Sequence, residues 1–484
     1  MGQITFLCVY LVLSLTKAEQ INRFKRKIPD NILFGAGTSA YQIEGAWNKD
    51  GRTESVWDQL SHTEPCEIHN CDTGDIAADS YNNYERDVQM MKEMGLDFYR
   101  FSISRNRILP TNSPDNINEA GVAYYNKLIN EMLKYNITPM VTIHHMDVPV
   151  QLESLGGWFN PTMVDWFVNY ARVLYELFGD RVKTWFTINE PREYCTITSS
   201  SVNKSGINDY LCARHMLLGH AKAYHVYQNE FKAKYGGKVG IVLNSLWYEP
   251  ESENDTEAAE DKLQFELGQF AHPIFSKAGD WPPLIKDRIA AKSVAQGFME
   301  SRLPEFTPEE VELIKGSSDF FGLNHYTSAL VYRNSSVEGF FPTPSYEDDI
   351  GVITYQPETW EKTIATWHKV VPWGFYKLLN KIREDYGNPP LYVTENGCPT
   401  GPGLFDTQRV LFYKKYLNAM LDSIDEGSDL QVYTAWSLMD NFEWLMGYHD
   451  KFGMYEVDFN SPTRKRTPRA SVFYYKKVIR TRRV

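Results

Sequence analysis

The chain has 484 residues, of which 43% are hydrophobic and 14% aromatic. This composition supplies a large core and excludes a collagen, a coiled coil, a disordered acidic tail and a small disulfide scaffold. The 62 acidic and 50 basic side chains give a net charge of −12. Because an acidic surface repels phosphate backbones, we expect no nucleic acid partner.

The N-terminal segment has the pattern of a secretory signal peptide. Residues 4–15 form the only long apolar run, which is too short to span a bilayer, and Ala18 ends a small-residue cleavage pattern. We therefore predict a signal peptide over residues 1–18, a secreted protein and no membrane partner; a signal anchor is the alternative. The glycosylation sequons of a secreted glycoprotein are present at Asn136, Asn203, Asn254 and Asn334.

Short apolar segments alternate with amphipathic stretches from residue 32 to the end of the chain. Continuous apolar runs, rather than alternating ones, are typical of parallel strands buried on both faces. Eight such strands separated by helices predict a single (β/α)8 TIM barrel domain over residues 19–484. The predicted strands are residues 32–39, 98–104, 140–145, 184–189, 239–245, 320–326, 391–394 and 432–437.

The clearest predicted helix covers residues 118–135, between the second and third strands. Its apolar side chains share one helical face, which suits a helix packed against a sheet. They are Val122, Tyr125, Leu128, Ile129, Met132 and Leu133. A doubly wound sheet is the alternative fold, but no GxGxxG pattern follows the first predicted strand.

Five cysteines remain after the predicted signal peptide, which contains Cys8. Cys66 and Cys71 lie in one polar loop and could pair, and Cys195 with Cys212 is a second possibility.

Metal-binding patterns are missing from the sequence, which has neither a CxxC pair nor HExxH. The adjacent His144 and His145 lie on one predicted strand, so their side chains point to opposite faces. We therefore predict no metal site and no cofactor.

Polar and aromatic side chains gather in the later halves of seven of the eight predicted strands or just past them. In a barrel the C-terminal ends of the strands form the catalytic face, because every strand points its following loop towards one opening. Isolated solvated loop residues do not explain so regular a placement. The residues are Gln42, Arg100, His145, Asn189, Glu190, Asn324, Tyr326, Glu395, Asn396 and Trp436.

Two carboxylates dominate this set, because Glu190 and Glu395 each directly follow an apolar strand. Paired carboxylates are typical of glycosidic cleavage, in which one protonates the leaving oxygen and the other attacks carbon. A retaining enzyme needs them about 5–5.5 Å apart. An ion pair that caps the barrel is the alternative for either glutamate alone, but Asn189 and Arg100 are placed to orient and polarise them.

These motifs resemble glycoside hydrolase family 1, the β-glucosidase family, and are most similar to its secreted animal and insect members. The resemblance covers residues 32–479. The motif-bearing segments are FGAGTSAYQIEG (34–45), YRFSI (99–103), HMDVP (145–149), TINEP (187–191), GLNHYT (322–327), YVTENG (392–397) and AWSLMDNFEW (435–444).

The resemblance implies a retaining β-glycosidase of the β-glucosidase type, which releases a terminal β-D-glucosyl residue through a covalent glycosyl-enzyme. Glu395 would be the nucleophile and Glu190 the acid/base, with Arg100 and Asn324 supporting the nucleophile. The substrate would be a small-molecule β-glucoside or a short oligosaccharide. By resemblance, the substrate-binding residues are Gln42, His145, Asn189, Tyr326, Trp436, Glu443 and Trp444.

Three positions depart from the family pattern. Met146 replaces the usual Trp after His145, Arg105 stands where Trp is common, and Arg192 follows the Asn-Glu-Pro motif where an aromatic residue is frequent. Drift with compensating repacking is one interpretation. The other is an Arg192 that contacts an anionic aglycone through its planar guanidinium, as an insect myrosinase-like thioglucosidase acting on glucosinolates would need.

Pairing of Arg192 with a neighbouring acid, such as Glu193 or Asp147, would instead give it a structural role. The plant thioglucosidases replace the acid/base by Gln, whereas this chain keeps Glu190, so cleavage of O-glycosides is the default expectation. An inactive sugar- or protein-binding barrel is a further alternative, which the retention of both glutamates opposes.

Overall fold

The architecture was analysed in a computed structural model that describes residues 26–333 and 343–484. Eight parallel strands form a closed barrel in which each strand pairs with the next along the chain and β8 pairs with β1. The strands are β1 (Leu33–Gly37), β2 (Phe98–Ser102), β3 (Thr138–His144), β4 (Thr184–Asn189), β5 (Lys238–Asn244), β6 (Phe321–Asn324), β7 (Leu391–Asn396) and β8 (Leu430–Trp436). The predicted TIM barrel is confirmed, with every strand near its predicted position.

Helices connect successive strands and cover the outside of the barrel. The longer ones are Ser80–Met94, Glu119–Lys134, Thr162–Phe178, Pro191–Ser201, Asn208–Val226, Thr256–Leu263, Gln269–Phe275, Pro283–Ala295, Pro308–Ile314, Pro372–Asp385, Thr407–Asp425 and Ala470–Thr481. Shorter helical segments are Ala40–Ile43, Val56–Ser61, His69–Cys71, Arg105–Ile108, Val150–Ser154, Gly157–Phe159, Tyr227–Phe231, Lys232–Tyr235, Glu253–Asp255, Gln264–Gly268, Tyr346–Ile350 and Trp444–Met446. No helix in the described ranges is long and apolar enough to cross a membrane.

Two small sheets lie outside the barrel. One contains Trp247–Pro250, Ser328–Arg333 and Val352–Tyr355, and the other pairs Tyr455–Val457 with Arg466–Pro468. Both lie in the connections around the barrel, so they leave its strand order unchanged.

The inside of the barrel is packed with side chains at its N-terminal end. A separate buried cluster there takes residues mainly from the first half of the strands or just before them, so the barrel is filled rather than hollow. Its members are Phe98, Met140, Phe186, Val242, Phe320, Tyr392 and Val432. The polar side chains of the candidate site lie at the opposite, C-terminal end.

The predicted helix between β2 and β3 is present as Glu119–Lys134, with the Asn118 side chain accepting a hydrogen bond from the Ala120 amide. Its predicted apolar face is buried except for Leu133, which is 40% exposed. Leu133 follows the fully buried Met132 and lies at the edge of this face, so its assignment to the core face was wrong.

Both possible cysteine pairs form disulfides, Cys66–Cys71 and Cys195–Cys212, and Cys398 is free and buried. The second disulfide joins the helix Pro191–Ser201, which follows β4, to the helix Asn208–Val226. The predicted signal peptide and the sequon at Asn334 lie outside the described residues.

Candidate active site

Glu395 lies near the end of β7, and both of its carboxylate oxygens accept hydrogen bonds. Arg100 donates to Oε1 at 2.6 Å and the Tyr326 hydroxyl donates to Oε2 at 2.5 Å. Arg100 projects from β2 and is fully buried, and burial raises the pKa of Tyr326 well above its usual value, so its hydroxyl stays a donor. Charge-assisted bonds of this kind are short and strong, and here they hold the carboxylate in one position.

Glu190 is the first residue after β4 and has a left-handed backbone, with φ +48° and ψ 59°. This conformation costs a residue with a Cβ about 1–2 kcal/mol. Pro191 then starts the next helix, so the chain turns sharply at Glu190. The turn places the carboxyl group at the barrel mouth, where Asn324 Nδ2 donates to Glu190 Oε1 at 2.7 Å.

The surroundings of Glu190 keep its carboxyl group protonated. Burial raises its pKa well above the usual value, and the negative charges of Glu395 and Glu193 raise it further. The hydrogen bond from Asn324 and the charge of Arg100 act in the opposite direction but are smaller. Glu190 therefore has the protonation state of a general acid at neutral pH.

A continuous set of hydrogen bonds joins the two glutamates. Arg100 donates to Asn189 Oδ1 at 2.6 Å as well as to Glu395, and Asn324 Nδ2 lies 3.2 Å from the same Asn189 oxygen. The Thr394 hydroxyl donates to Asn324 Oδ1 at 2.7 Å, which orients the amide towards Glu190. Four predicted site residues, Arg100, Asn189, Asn324 and Glu395, are thus brought together with Glu190.

The aromatic side chains form one wall of the site. The His145 ring lies parallel to Trp436, with ring centres 6.0 Å apart, and nearly parallel to Trp444 at 6.1 Å. Burial, with a smaller contribution from Arg100, lowers the pKa of His145 well below its usual value, so its ring stays neutral. A neutral imidazole between two indoles suits contact with an uncharged sugar.

His144 and His145 point to opposite faces, as expected from their adjacent positions. His144 packs against Trp158 and Tyr194 instead of the aromatic wall of the site. Among the residues that the structure describes, no cluster of three or more His, Cys, Asp or Glu side chains is arranged to hold a metal ion.

Gln42 and Glu443 lie close to the same wall but differ in their hydrogen bonds. Gln42 is fully buried and bonded on both sides, because Nε2 donates to Asn441 and to the Phe442 carbonyl while Oε1 accepts from Ser39. Glu443 has a buried Oε1 without a partner. Burial and the charges of nearby carboxylates raise the pKa of Glu443 well above its usual value. The unpartnered oxygen of Glu443 is therefore suited to bind a sugar hydroxyl.

Arg192 forms ion pairs with two carboxylates, Glu193 at 2.6 Å and Glu266 at 2.8 Å. Its charge is therefore neutralised within the protein. Arg192 therefore pairs with a neighbouring acid, as one of the two interpretations expected, although the partners are Glu193 and Glu266 and not Asp147. Contact between Arg192 and an aglycone remains a prediction.

Sequence reasoning missed Glu266 and Trp367, and it named Glu193 only as a possible partner of Arg192, without its effect on Glu190. Glu193 lies one helical turn after Glu190, a spacing that could have indicated its influence. Glu266 comes from a distant segment, and no local signal links it to Arg192. Trp367 is 47% exposed and packs edge-on against Tyr326, with ring centres 5.9 Å apart, so it lies at the rim beside the tyrosine that donates to Glu395.

Known proteins resemble this chain over nearly its whole length. The sequence profile of Glycosyl hydrolase family 1 matches residues 24–484. The chain is 44% identical to Myrosinase 1 of Brevicoryne brassicae, over 94% of this chain and 99% of that protein. It is 39% identical to the cytosolic beta-glucosidase of Cavia porcellus, over 93% and 98%.

The fold agrees with these sequence similarities. The solved structure of aphid myrosinase superimposes with a TM-score of 0.90 at 43% identity, covering 95% of this chain and 100% of that one. A rice β-glucosidase, Os3BGlu6, gives a TM-score of 0.86 at 35% identity, over 93% and 98%. The resemblance inferred from the motifs is confirmed: the chain belongs to glycosyl hydrolase family 1 and is a glycoside hydrolase.

Proposed function

We propose that this glycoside hydrolase is a secreted, retaining β-glucosidase. Glu395 attacks the anomeric carbon while Glu190 protonates the departing oxygen, and Glu190 then removes a proton from the water that releases glucose. The proposal rests on the different surroundings of Glu395 and Glu190, which belong to one hydrogen-bonded network. Glu395 accepts from a cation and a hydroxyl, whereas Glu190 is held protonated beside it.

The second half of the reaction follows from the same electrostatics. Attack converts the Glu395 carboxylate into a neutral glycosyl ester, which removes the negative charge that raises the pKa of Glu190. The acid has just given its proton to the leaving group, so Glu190 is now a carboxylate with a lower pKa. It is therefore suited to act as the base towards water.

The stereochemistry of the first product tests this mechanism. We expect proton NMR to show the β anomer of glucose before mutarotation when an aryl β-glucoside is hydrolysed. A slow 2-deoxy-2-fluoro-glucoside should label Glu395, as peptide mass spectrometry would show. Initial release of the α anomer, or labelling of another residue, would contradict the assignment.

Thioglucoside cleavage is the second candidate function, because the chain is 44% identical to Myrosinase 1 of Brevicoryne brassicae. The thiohydroximate of a glucosinolate is a good leaving group that needs little protonation, so a site that retains Glu190 could act on both O- and S-glycosides. The charge of Arg192 is already paired, which gives no direct support for recognition of a sulfate group.

A Glu190→Gln variant separates the two substrate classes. We expect its first turnover with an alkyl β-glucoside to be lost, because the leaving alkoxide needs the proton. If glucosinolates are substrates, a burst of released aglycone should persist with a glucosinolate, measured by stopped-flow absorbance. No turnover of glucosinolates by the unmodified enzyme would exclude the thioglucosidase and leave the β-glucosidase intact.

Secretion is proposed from the N-terminal pattern and from the sequons. The described sequon residues Asn136, Asn203 and Asn254 are all exposed, as glycan acceptors must be. Expression of the full chain in cells with a secretory pathway should release a protein that begins near Glu19 and shifts in mass after glycan removal. Retention of the uncut chain inside the cell would contradict this proposal.

A further inference from the structure

Arg105 is a buried cation without an acceptor for any of its hydrogen bonds. It opens the short helix Arg105–Ile108 after β2, and only 6% of its surface is exposed. None of its three guanidinium nitrogens has a hydrogen-bond partner among the described residues. The guanidinium carbon lies 5.3 Å from the centre of the Tyr170 ring.

Arg107, two residues further on, shows what is missing at Arg105. It is fully buried, but its Nε donates to Glu44 at 3.0 Å and it also donates to the Gly45 carbonyl. Burying a charge is costly unless a counterion and hydrogen bonds compensate. Arg107 has both in the protein, whereas Arg105 has neither within the described residues.

Two further ring nitrogens without a partner belong to His144, on which the nearby charge of Arg105 acts, and to Trp158, which packs against His144. His144 Nε2 and Trp158 Nε1 are buried and have no hydrogen-bond partner, and the two rings meet edge to face with centres 5.8 Å apart. Burial, together with the nearby charge of Arg105, lowers the pKa of His144 to about 3, so its ring is neutral. The Arg105 guanidinium and the unpartnered ring nitrogens of His144 and Trp158 thus share one buried region, which carries a single positive charge.

The described part of the chain supplies no carboxylate to balance that charge. Burial lowers the pKa of Arg105 to about 10, so it remains charged at neutral pH. Asp147 lies in the loop after β3, but burial raises its pKa to about 8, which makes it neutral near pH 7. Among the described residues, no acidic side chain lies within the 4.0 Å of an ion pair with Arg105.

We propose that Arg105, His144 and Trp158 form an internal binding site for a small monovalent anion of the size of chloride. The anion balances the guanidinium charge and accepts the unused N–H groups. The site lies on the face of the β3 end opposite His145, since His144 and His145 point in opposite directions. Occupancy would stabilise the strand end that carries the aromatic wall of the active site.

Crystals of the complete protein soaked in bromide test the site directly. We expect an anomalous-scattering peak in van der Waals contact with the Arg105 guanidinium and close to the Trp158 indole nitrogen. A peak only at exposed lysines, or ordered water at Arg105 in the presence of bromide, would overturn the proposal.

Thermal unfolding provides a solution test that does not depend on activity. At constant ionic strength, replacing gluconate by chloride or bromide should raise the unfolding midpoint by about 1–3 °C and reach saturation, because a ligand that binds only the folded state stabilises it. Gluconate is too large for a buried pocket of this kind. Equal midpoints in chloride and gluconate would contradict the proposal.

Two variants show whether Arg105 is responsible. Arg105→Trp removes the charge and fills the space with the residue common in the family, so it should fold and lose the dependence on chloride. Arg107→Gln is the matched control, because it removes a buried arginine that already has a counterion. It should lower the unfolding midpoint by the same amount in both salts, so the midpoint should still be higher in chloride than in gluconate. If the midpoint of Arg105→Trp is also higher in chloride than in gluconate, the anion binds elsewhere.

Discussion

Two glutamates, Glu395 and Glu190, lie at the C-terminal mouth of the barrel in opposite electrostatic surroundings. Glu395 is held by Arg100 and Tyr326, which together offer it a cation and a hydroxyl donor. Glu190 receives one amide hydrogen bond and faces the negative charges of Glu395 and Glu193. The two carboxyl groups are chemically identical, so their neighbouring residues create the difference on which the proposed roles of nucleophile and acid depend.

Replacement of Glu395, the proposed nucleophile, should have the largest effect, because it should abolish turnover. We expect Glu395→Gln to lower kcat for aryl β-glucosides by at least about four orders of magnitude, because an amide cannot form the glycosyl ester. Steady-state assays on protein with an unchanged circular dichroism spectrum measure the effect. Glu358→Gln, which alters an exposed carboxylate, is the control and should be fully active. Substantial activity in the folded variant, with deamidation excluded by mass spectrometry, would refute the role of Glu395.

Removal of the acid should have an effect that depends on the leaving group. Glu190→Ala is expected to lose about 10²–10⁴-fold in rate on alkyl glucosides and much less on activated aryl glucosides. Azide can enter the vacated space and attack the glycosyl-enzyme without help from a base, so it should restore turnover and give the β-glucosyl azide. An α-azide, or an equal loss for all leaving groups, would show that Glu190 is not the acid/base.

Replacement of Arg192 tests whether ion pairs within the protein stabilise the region around Glu190. Arg192→Gln leaves Glu193 and Glu266 without their shared cation, so we expect the free energy of unfolding to fall by about 3–5 kcal/mol. The change in kcat/KM should be similar for a neutral aryl glucoside and a glucosinolate. Arg214→Gln, which breaks a more exposed pair with Glu310, is the control and should cost less. An additional loss of about ten- to hundredfold confined to the glucosinolate would instead reveal an aglycone contact.

The smallest expected effect is a shift in the pH profile. The negative charge of Glu193 raises the pKa of Glu190, so Glu193→Gln should lower that pKa. Glu190 then loses its proton at a lower pH, and the alkaline limb of kcat/KM should move to lower pH by up to about one unit. Glu193→Asp keeps the charge and should leave the limb nearly unchanged. A shift to higher pH in the Gln variant would contradict the electrostatic argument.

The barrel could be predicted from the sequence because its signals are local. Strands buried on both faces appear as uninterrupted apolar runs, and all eight were located near their observed positions. The exact ends were less accurate. β7 extends to Asn396, two residues beyond its predicted end, whereas β6 stops at Asn324 and leaves Tyr326 in the following loop. Strand ends depend on the pairing of neighbouring strands, which a single segment does not contain.

The candidate site, like the barrel, could be predicted only in part from the sequence. Glu190, Glu395, Arg100 and Asn324 could be named from their motifs and from their place in or directly after apolar strands, since every barrel strand points to one mouth. The resemblance also led us to expect both Arg100 and Asn324 beside Glu395. Arg100 does bond to Glu395, whereas Asn324 donates to Glu190, because these partners lie on different strands and meet only when the barrel closes.

Sequence alone thus determined the fold class, the family and the candidate site residues, because these depend on periodicity and on short motifs. Tertiary structure alone decided which charges have a counterion. Arg192 meets Glu266 from a distant segment, whereas Arg105 is buried without a carboxylate partner among residues 26–333 and 343–484. The physical reason is that electrostatic interactions depend on distance and desolvation in three dimensions, and neither is encoded by neighbouring positions in the chain.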